Sequence, residues 1–140
     1  MSNISSFDVS ASGIFAQRTR MDTIANNIAN AETTRTPQGG PYRRQVVNFQ
    51  AVYEQAVNGN TTLSGVKAGE VQEDPSDFKM VYDPGHPDAD ANGYVKMPNV
   101  NMVEEMVDMV SATRAYEANI TAMNATKSMI SLAIDLGKGA

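Results

Sequence analysis

At 140 residues the chain is about one ordinary domain, too short for two catalytic domains. It is 41% hydrophobic but only 6% aromatic, with no Trp and nine Met, so its core should be helical in character and built from aliphatic and thioether side chains. Eleven Lys and Arg against sixteen Asp and Glu give a formal charge of −5, which argues against a nucleic-acid partner, since phosphate affinity needs clustered positive charge.

The only tight basic group is Arg43-Arg44. With no Cys, disulfides, thiolate metal sites and cysteine nucleophiles are excluded, and the single imidazole, His86, excludes a multi-histidine metal centre within one chain. No apolar run approaches the roughly 18 residues needed to span a bilayer, so the chain is not membrane-spanning. The segment Met1 to Phe15 has no continuous apolar stretch and precedes the first basic residue, Arg18, so no cleavable secretory signal is expected.

All six prolines lie between Pro37 and Pro98, and seven of the ten glycines lie between Gly39 and Gly93. Helix breakers are thus concentrated in the middle, which predicts three parts: a helix within 1–35, a strand- and loop-rich element over 36–98, and a helix within 99–140, the two helices forming one domain. In the first part Phe7, Ala11, Ile14, Met21, Ala25 and Ile28 follow an alternating four-three spacing whose one polar member is Arg18, the pattern of a coiled-coil seam. Ser5 with Asp8 reads as an N-cap pair, and the helix should run from about Ser5 to Ala31. Asn26, Asn27 and Asn30 crowd its end, where three amides in five positions suggest hydrogen-bond partners.

In the middle, Gln45 to Phe49, Gly65 to Lys67 and Lys79 to Tyr82 read as short strands, and Asn58-Gly59-Asn60 as a turn. Asp83-Pro84-Gly85-His86-Pro87-Asp88 is loop, because its two prolines remove donors and fix φ. In the last part Met102, Met106, Met109, Thr113, Tyr116, Ile120, Met123, Lys127, Ile130 and Ile134 again alternate by four and three, from a capping Asn101-Glu104 pair to Gly137 as a left-handed stop. A second stripe starts with Val103, Val107 and Val110 and continues through Met129, Leu132 and Leu136. Two apolar stripes on one helix ask for more than one partner, so packing against other subunits is expected. The matched seams predict that the terminal helices are antiparallel neighbours, with Met21 and Ile24 near Tyr116 and Ile120.

Two patterns carry possible chemistry. Asp88, Asp90 and Asn92, followed by Gly93, match the first half of an EF-hand loop, which makes a calcium-binding module the alternative function, although position twelve is Asn99 where a bidentate Glu belongs. His86 beside Asp83 and Asp88 could act as a general base, but no nucleophile or phosphate loop accompanies it, and a solvated turn histidine is the simpler reading.

Asn26 to Ala31, together with Glu105 to Met109 and Arg114 to Asn119, resemble the paired terminal signatures of bacterial flagellar axial proteins, the rod and hook subunits. The stretches Glu32 to Arg44 and Tyr82 to Asp88 resemble the proximal-rod members in particular, where hook and distal-rod relatives carry a Thr-x-Gly-Phe-Lys-Arg-like turn. The resemblance implies a non-enzymatic structural subunit of the basal-body rod, without cofactor or metal, mainly α with a small β-containing middle. It also implies export by the flagellar type III apparatus and polymerisation, with itself and other rod subunits, into a helical tube that transmits torque across the periplasm. The terminal helices would then pair as an antiparallel coiled coil, with the assembly interface expected at Phe7, Ile14, Met21, Ile24, Asn26, Asn27, Ile28, Asn30, Met106, Met109, Tyr116, Asn119, Ile120, Met123, Ile130 and Ile134.

Overall fold

In the computed structural model, which describes residues 2–55 and 61–138, two long helices bracket four strands. Helix α1 spans Ser2–Ala29 and helix α2 spans Met102–Lys138, about 40 Å and 55 Å long respectively. Strands β1 (Gln45–Gln55) and β2 (Thr61–Glu73) pair in one two-stranded sheet, and β3 (Lys79–Tyr82) and β4 (Tyr94–Met97) in another. The β3–β4 pair is antiparallel, with Lys79 opposite Met97 and Tyr82 opposite Tyr94. The chain is therefore mainly α with small sheets in its middle.

The helix ends differ from expectation in instructive ways. The first helix starts before Ser5, so the Ser5–Asp8 pair lies inside it and does not begin it. Gly137 continues α2 and is not among the positive-φ glycines, so it is not a left-handed stop. At the other end Asn101 does cap: its Oδ1 accepts from the Val103 N–H at 3.2 Å, and its carbonyl from the Glu105 N–H at 3.0 Å. The β1 and β2 strands run well beyond their apolar cores, and β4 had no sequence prediction. The expected turn at Asn58-Gly59-Asn60 lies outside the described residues.

The fold divides into two units. One contains α1 up to Arg20, β1 from Asn48, β2 as far as Gly69, and α2 from Ser111. Here β2 crosses α1 at closest range: the Val66 N–H donates to Ser12 Oγ at 3.1 Å, while Ser12 Oγ donates to the Val9 carbonyl at 2.7 Å. A Cβ on Gly65 would lie 2.5 Å from Ser12 Oγ, and Gly65 has φ +142°, so both space and backbone require glycine. Gly65→Val should therefore lower stability by about 1–3 kcal/mol from backbone strain alone, with the Ser12 clash added. Urea unfolding followed by circular dichroism checks it, and an unchanged midpoint would refute it.

In the same unit Gly13 is buried against Asn119, whose side-chain nitrogen would stand 2.9 Å from a Cβ at that position. Tyr116 and Ile120 flank Asn119 on α2, which puts their turn level with Gly13. Met21 and Ile24 belong to the other unit.

On α2 Glu105, Ala112 and Thr126 are buried, and Asp108, Met109, Thr113, Ala115, Tyr116, Asn119, Ile120, Met123 and Ile130 are half-buried. Of the expected seam, Met109, Thr113, Tyr116, Ile120, Met123 and Ile130 are thus withdrawn from solvent, whereas Met102, Met106, Lys127 and Ile134 are exposed. The three buried positions lie one residue before the seam positions Met106, Thr113 and Lys127. On α1 the buried residues are Gly13, Ala16, Thr23, Ile24 and Asn27, also offset from the hydrophobic seam. Small and polar side chains occupy these rows, and such residues let helix backbones approach closely.

The second unit holds α1 from Met21, β1 up to Val47, β2 from Glu70, the β3–β4 hairpin, and α2 up to Val110. Its apolar core is small: Ile24, Val95, Pro98 and Val100. The largest fully buried side chain in the structure is a charged one, Glu105.

Candidate functional site

Burying a carboxylate without compensation would cost several kcal/mol, so Glu105 must be paired and hydrogen-bonded. It is both. Arg44 Nε donates to Glu105 Oε1 at 2.6 Å, and Asn27 Nδ2 donates to Glu105 Oε2 at 3.0 Å. Arg44 also reaches Asp74 Oδ2 at 3.2 Å and Asp108 Oδ2 at 3.7 Å through its two terminal nitrogens. A pair of arginines that read as an isolated basic group is thus divided in task. Arg44 neutralises three acids, while Arg43 donates to the Asp74 and Ser76 carbonyls and lies over the Phe78 ring at 4.3 Å.

Asn27 uses its whole amide. Nδ2 donates to Glu105 and to the Gln45 carbonyl at 2.8 Å, while Oδ1 accepts from the Gln45 N–H at 2.8 Å and the Tyr42 hydroxyl at 3.0 Å. Two donors and two acceptor positions are the full capacity of an asparagine side chain. No other residue of that size can replace it: an aspartate would bring a second carboxylate to Glu105, and a leucine would strand four groups.

The chain reaches this cluster through the turn after α1. Asn30 closes the helix, its side-chain nitrogen donating to the Asn26 carbonyl at 2.9 Å, whereas the Asn26 side chain itself is exposed. Backbone bonds from the Thr36 N–H to Gly40 and from the Tyr42 N–H to Thr33, both 2.9 Å, then fold the Pro-Gly-rich stretch back so that Tyr42 and Arg44 return to the end of α1.

Electrostatics follow the geometry. Burial alone would lower the Arg44 pKa, but the hydrogen bond and charge of Glu105, with those of Asp74, outweigh it and hold the guanidinium above its ordinary value. Tyr42 is pushed up by burial first, then by the negative charges of Glu105 and Glu73. Asp74 is held below 3.8 chiefly by hydrogen bonds from Ser76, and then by Arg44.

The loop that suggested calcium spends its oxygens elsewhere. Asp88 pairs with Arg35 at 2.8 Å and accepts from the Thr34 hydroxyl at 2.8 Å, and Asp90 Oδ1 accepts the Asn92 and Tyr94 N–H groups, both at 2.9 Å. Among the described residues no group of three acidic or histidine side chains is placed to hold a metal ion. His86 Nδ1 accepts the Asp88 N–H at 3.1 Å, a local turn contact.

The residues expected at an assembly interface separate into two sets. Ile24 and Asn27 are buried within the chain, and Ile14, Met21, Ile28, Asn30, Met109, Tyr116, Asn119, Ile120, Met123 and Ile130 are half-buried. Phe7, Asn26, Met106 and Ile134 are exposed. Around Met106, the side chains of Val103, Val107 and Val110 are all more than half exposed, as are Phe15, Met129, Leu132 and Leu136 elsewhere on the helices. The uncovered apolar side chains are clustered along α2, with Phe15 on α1, a pattern that marks an interaction surface.

Comparison with known proteins accords with this geometry. The family described as "Flagella basal body rod protein" matches residues 7–35, and that described as "Flagellar basal body rod FlgEFG protein C-terminal" matches residues 91–136. The flagellar basal-body rod protein FlgC of Bacillus subtilis is 48% identical over 150 aligned positions, covering 99% of this chain and 100% of that one. The chain belongs to the FlgC family of flagellar basal-body rod proteins. FlgC of Borreliella burgdorferi and FlgC of Salmonella typhimurium are each 46% identical with the same coverage. As a FlgC-family member the chain is a structural subunit of the flagellar basal-body rod, not an enzyme. The matched segments contain Asn27, whose amide the sequence marked as needing hydrogen-bond partners, and Glu105, which it placed in a family signature without assigning it a partner. No helix among the described residues is long and apolar enough to cross a membrane.

Proposed function

We propose that the chain polymerises with itself and with other rod subunits through its terminal helices, forming the proximal segment of a rod that transmits torque across the periplasm. The observation that carries this reading is the apolar surface of α1 and α2 that their own chain leaves uncovered: Phe15 on one helix, and Val103, Met106, Val107, Val110, Leu132 and Leu136 on the other. Interfaces between such helices exclude water and pack densely, and so resist shear better than exposed ion pairs. Neighbouring subunits cover these residues in the rod, while the strand-bearing middle, 36–98, forms an outer element.

Within one chain the two helices pair as an antiparallel coiled coil. Two contacts support this, Gly13 against Asn119 and Asn27 on Glu105: as residue numbers rise along α1 they fall along α2. The subunit leaves the cell through the flagellar export apparatus, a route that suits a cysteine-free chain whose folding needs no disulfide.

The test is complementation. Cells lacking the chain should build no complete rod and not swim, the full chain should restore both, and a chain ending at residue 110 should restore neither. Swimming with the truncated chain would overturn the reading.

A further inference from the structure

The seam between the helices poses a problem of uniqueness. A coiled coil whose buried positions carry distinctive large residues can close in one register only, because a shift of seven residues mismatches their volumes. Here one row on α2 is Glu105, Ala112 and Thr126, all buried, with half-buried Asn119, and its companion row is Met109, Tyr116, Met123 and Ile130, all half-buried, with Thr113 and Ile120 half-buried beside them. Gly13 lies against Asn119, and the residues one heptad to either side, Ala112 and Thr126, have fewer side-chain heavy atoms than Asn119, so side-chain volume at Gly13 does not exclude a slipped register. The companion row offers little more discrimination, since two of its four members are adaptable methionines. Helix length does not decide either, because α2 has 37 residues and α1 has 28.

One position breaks the repeat. Glu105 is the single charged member of its row, fully buried, and its two oxygens are held by Asn27 Nδ2 at 3.0 Å and Arg44 Nε at 2.6 Å. Arg44 is in turn fixed from outside the helices, by Asp74 at 3.2 Å and, through its own N–H, by Asn99 Oδ1 at 2.7 Å. A slip of one heptad moves α2 by about 10 Å along α1. It would leave a buried carboxylate without its amide and a four-bonded asparagine without its acid, each a costly buried group.

Resting on the antiparallel pairing proposed above, we propose that the Asn27–Glu105–Arg44 cluster is a register pin, the element that selects one of several heptad-related alignments of the terminal helices. Its use would be to give every subunit the same alignment of its terminal helices, which a helical assembly requires.

The cysteine-free chain makes the test clean. Three full-length double variants are made: Gly13→Cys with Asn119→Cys for the native register, and Gly13→Cys with Ala112→Cys or with Thr126→Cys for the slipped ones. Each is oxidised at low concentration and scored for intramolecular disulfide on a non-reducing gel. With the cluster intact, the 13–119 disulfide should exceed either slipped one at least tenfold. Adding Asn27→Leu and Glu105→Leu together should raise a slipped disulfide to within threefold of the native one, whereas Glu105→Gln, which keeps an oxygen for Asn27, should retain most of the native preference.

Because Gly13→Cys is common to all three, any crowding of Asn119 cancels in the comparison between intact and altered clusters. Exclusive 13–119 linkage in the Leu-Leu background would overturn the register pin while leaving the pairing intact, and loss of all three disulfides there would overturn it too, by making the cluster necessary for pairing itself. Equal yields of the three with the cluster intact would also refute the pin. Absence of all three with the cluster intact would refute the pairing.

Discussion

Glu105→Ala should destabilise the chain more than the apolar truncation Val95→Ala in its core. The substitution removes the acceptor of two hydrogen bonds, at 2.6 Å from Arg44 and 3.0 Å from Asn27, in a place where Glu105 is wholly buried. Breaking a buried ion pair from one side costs about 3–5 kcal/mol, since the remaining partner keeps its desolvation penalty. Arg44 retains Asp74 and Asp108, which places the effect toward the lower end of that range. By comparison, Val95→Ala deletes two methyl groups, worth about 1–3 kcal/mol in a well-packed site. A domain of this size has only about 5–15 kcal/mol in hand, so Glu105→Ala should shift the urea midpoint by a large fraction of its value and reduce swimming. A midpoint no lower than that of Val95→Ala would show that the cluster is dispensable.

What the sequence made legible follows from which physical signal each feature carries. Both helices were readable because Pro and Gly are concentrated between them and the apolar spacing has the helical period. The half-buried seam on α2 was readable for the same reason: Met109, Tyr116, Ile120, Met123 and Ile130 are hydrophobic and withdrawn from solvent. The fully buried positions were missed because a search for hydrophobic residues prefers Met106 to Glu105, yet close helix approach favours the small or polar neighbour. A seven-residue repeat of small and polar side chains, Ala112, Asn119 and Thr126 on α2 and Ala16 and Thr23 on α1, was the signal available.

Strand β4 was hidden by its position directly after an EF-hand-like loop, although Tyr94 and Lys96 alternate with Val95 and Met97 as a half-buried strand should, with Val95 only 1% exposed. The cluster around Arg44 was illegible because its members, Asn27, Arg44, Asp74 and Glu105, are spread over almost 80 residues, and no local pattern announces a pairing made by the fold.

The double substitution Met106→Asp with Val110→Asp should abolish rod assembly while leaving the chain folded. Met106 is 57% exposed and Val110 is 54% exposed, on adjacent turns of one face of α2, so two carboxylates there are solvated in the free subunit. The cost to the fold is the lower helix propensity of Asp, a few tenths of a kcal/mol at each position. In an assembled interface the same carboxylates would have to shed water without a partner, at several kcal/mol each, more than a helical lattice can absorb when every copy repeats the penalty. Cells should therefore contain and export the variant, its urea midpoint should lie near that of the parent, and they should not swim. Ile120→Asp, at a half-buried seam position, should fail by the other route, losing stability as well as motility. His86→Ala is the control: its side chain makes a contact within its own turn, and swimming should be close to normal. If the Met106/Val110 variant swims while His86→Ala does not, the apolar face of α2 is not where subunits meet, and the Asp83–Asp90 loop is.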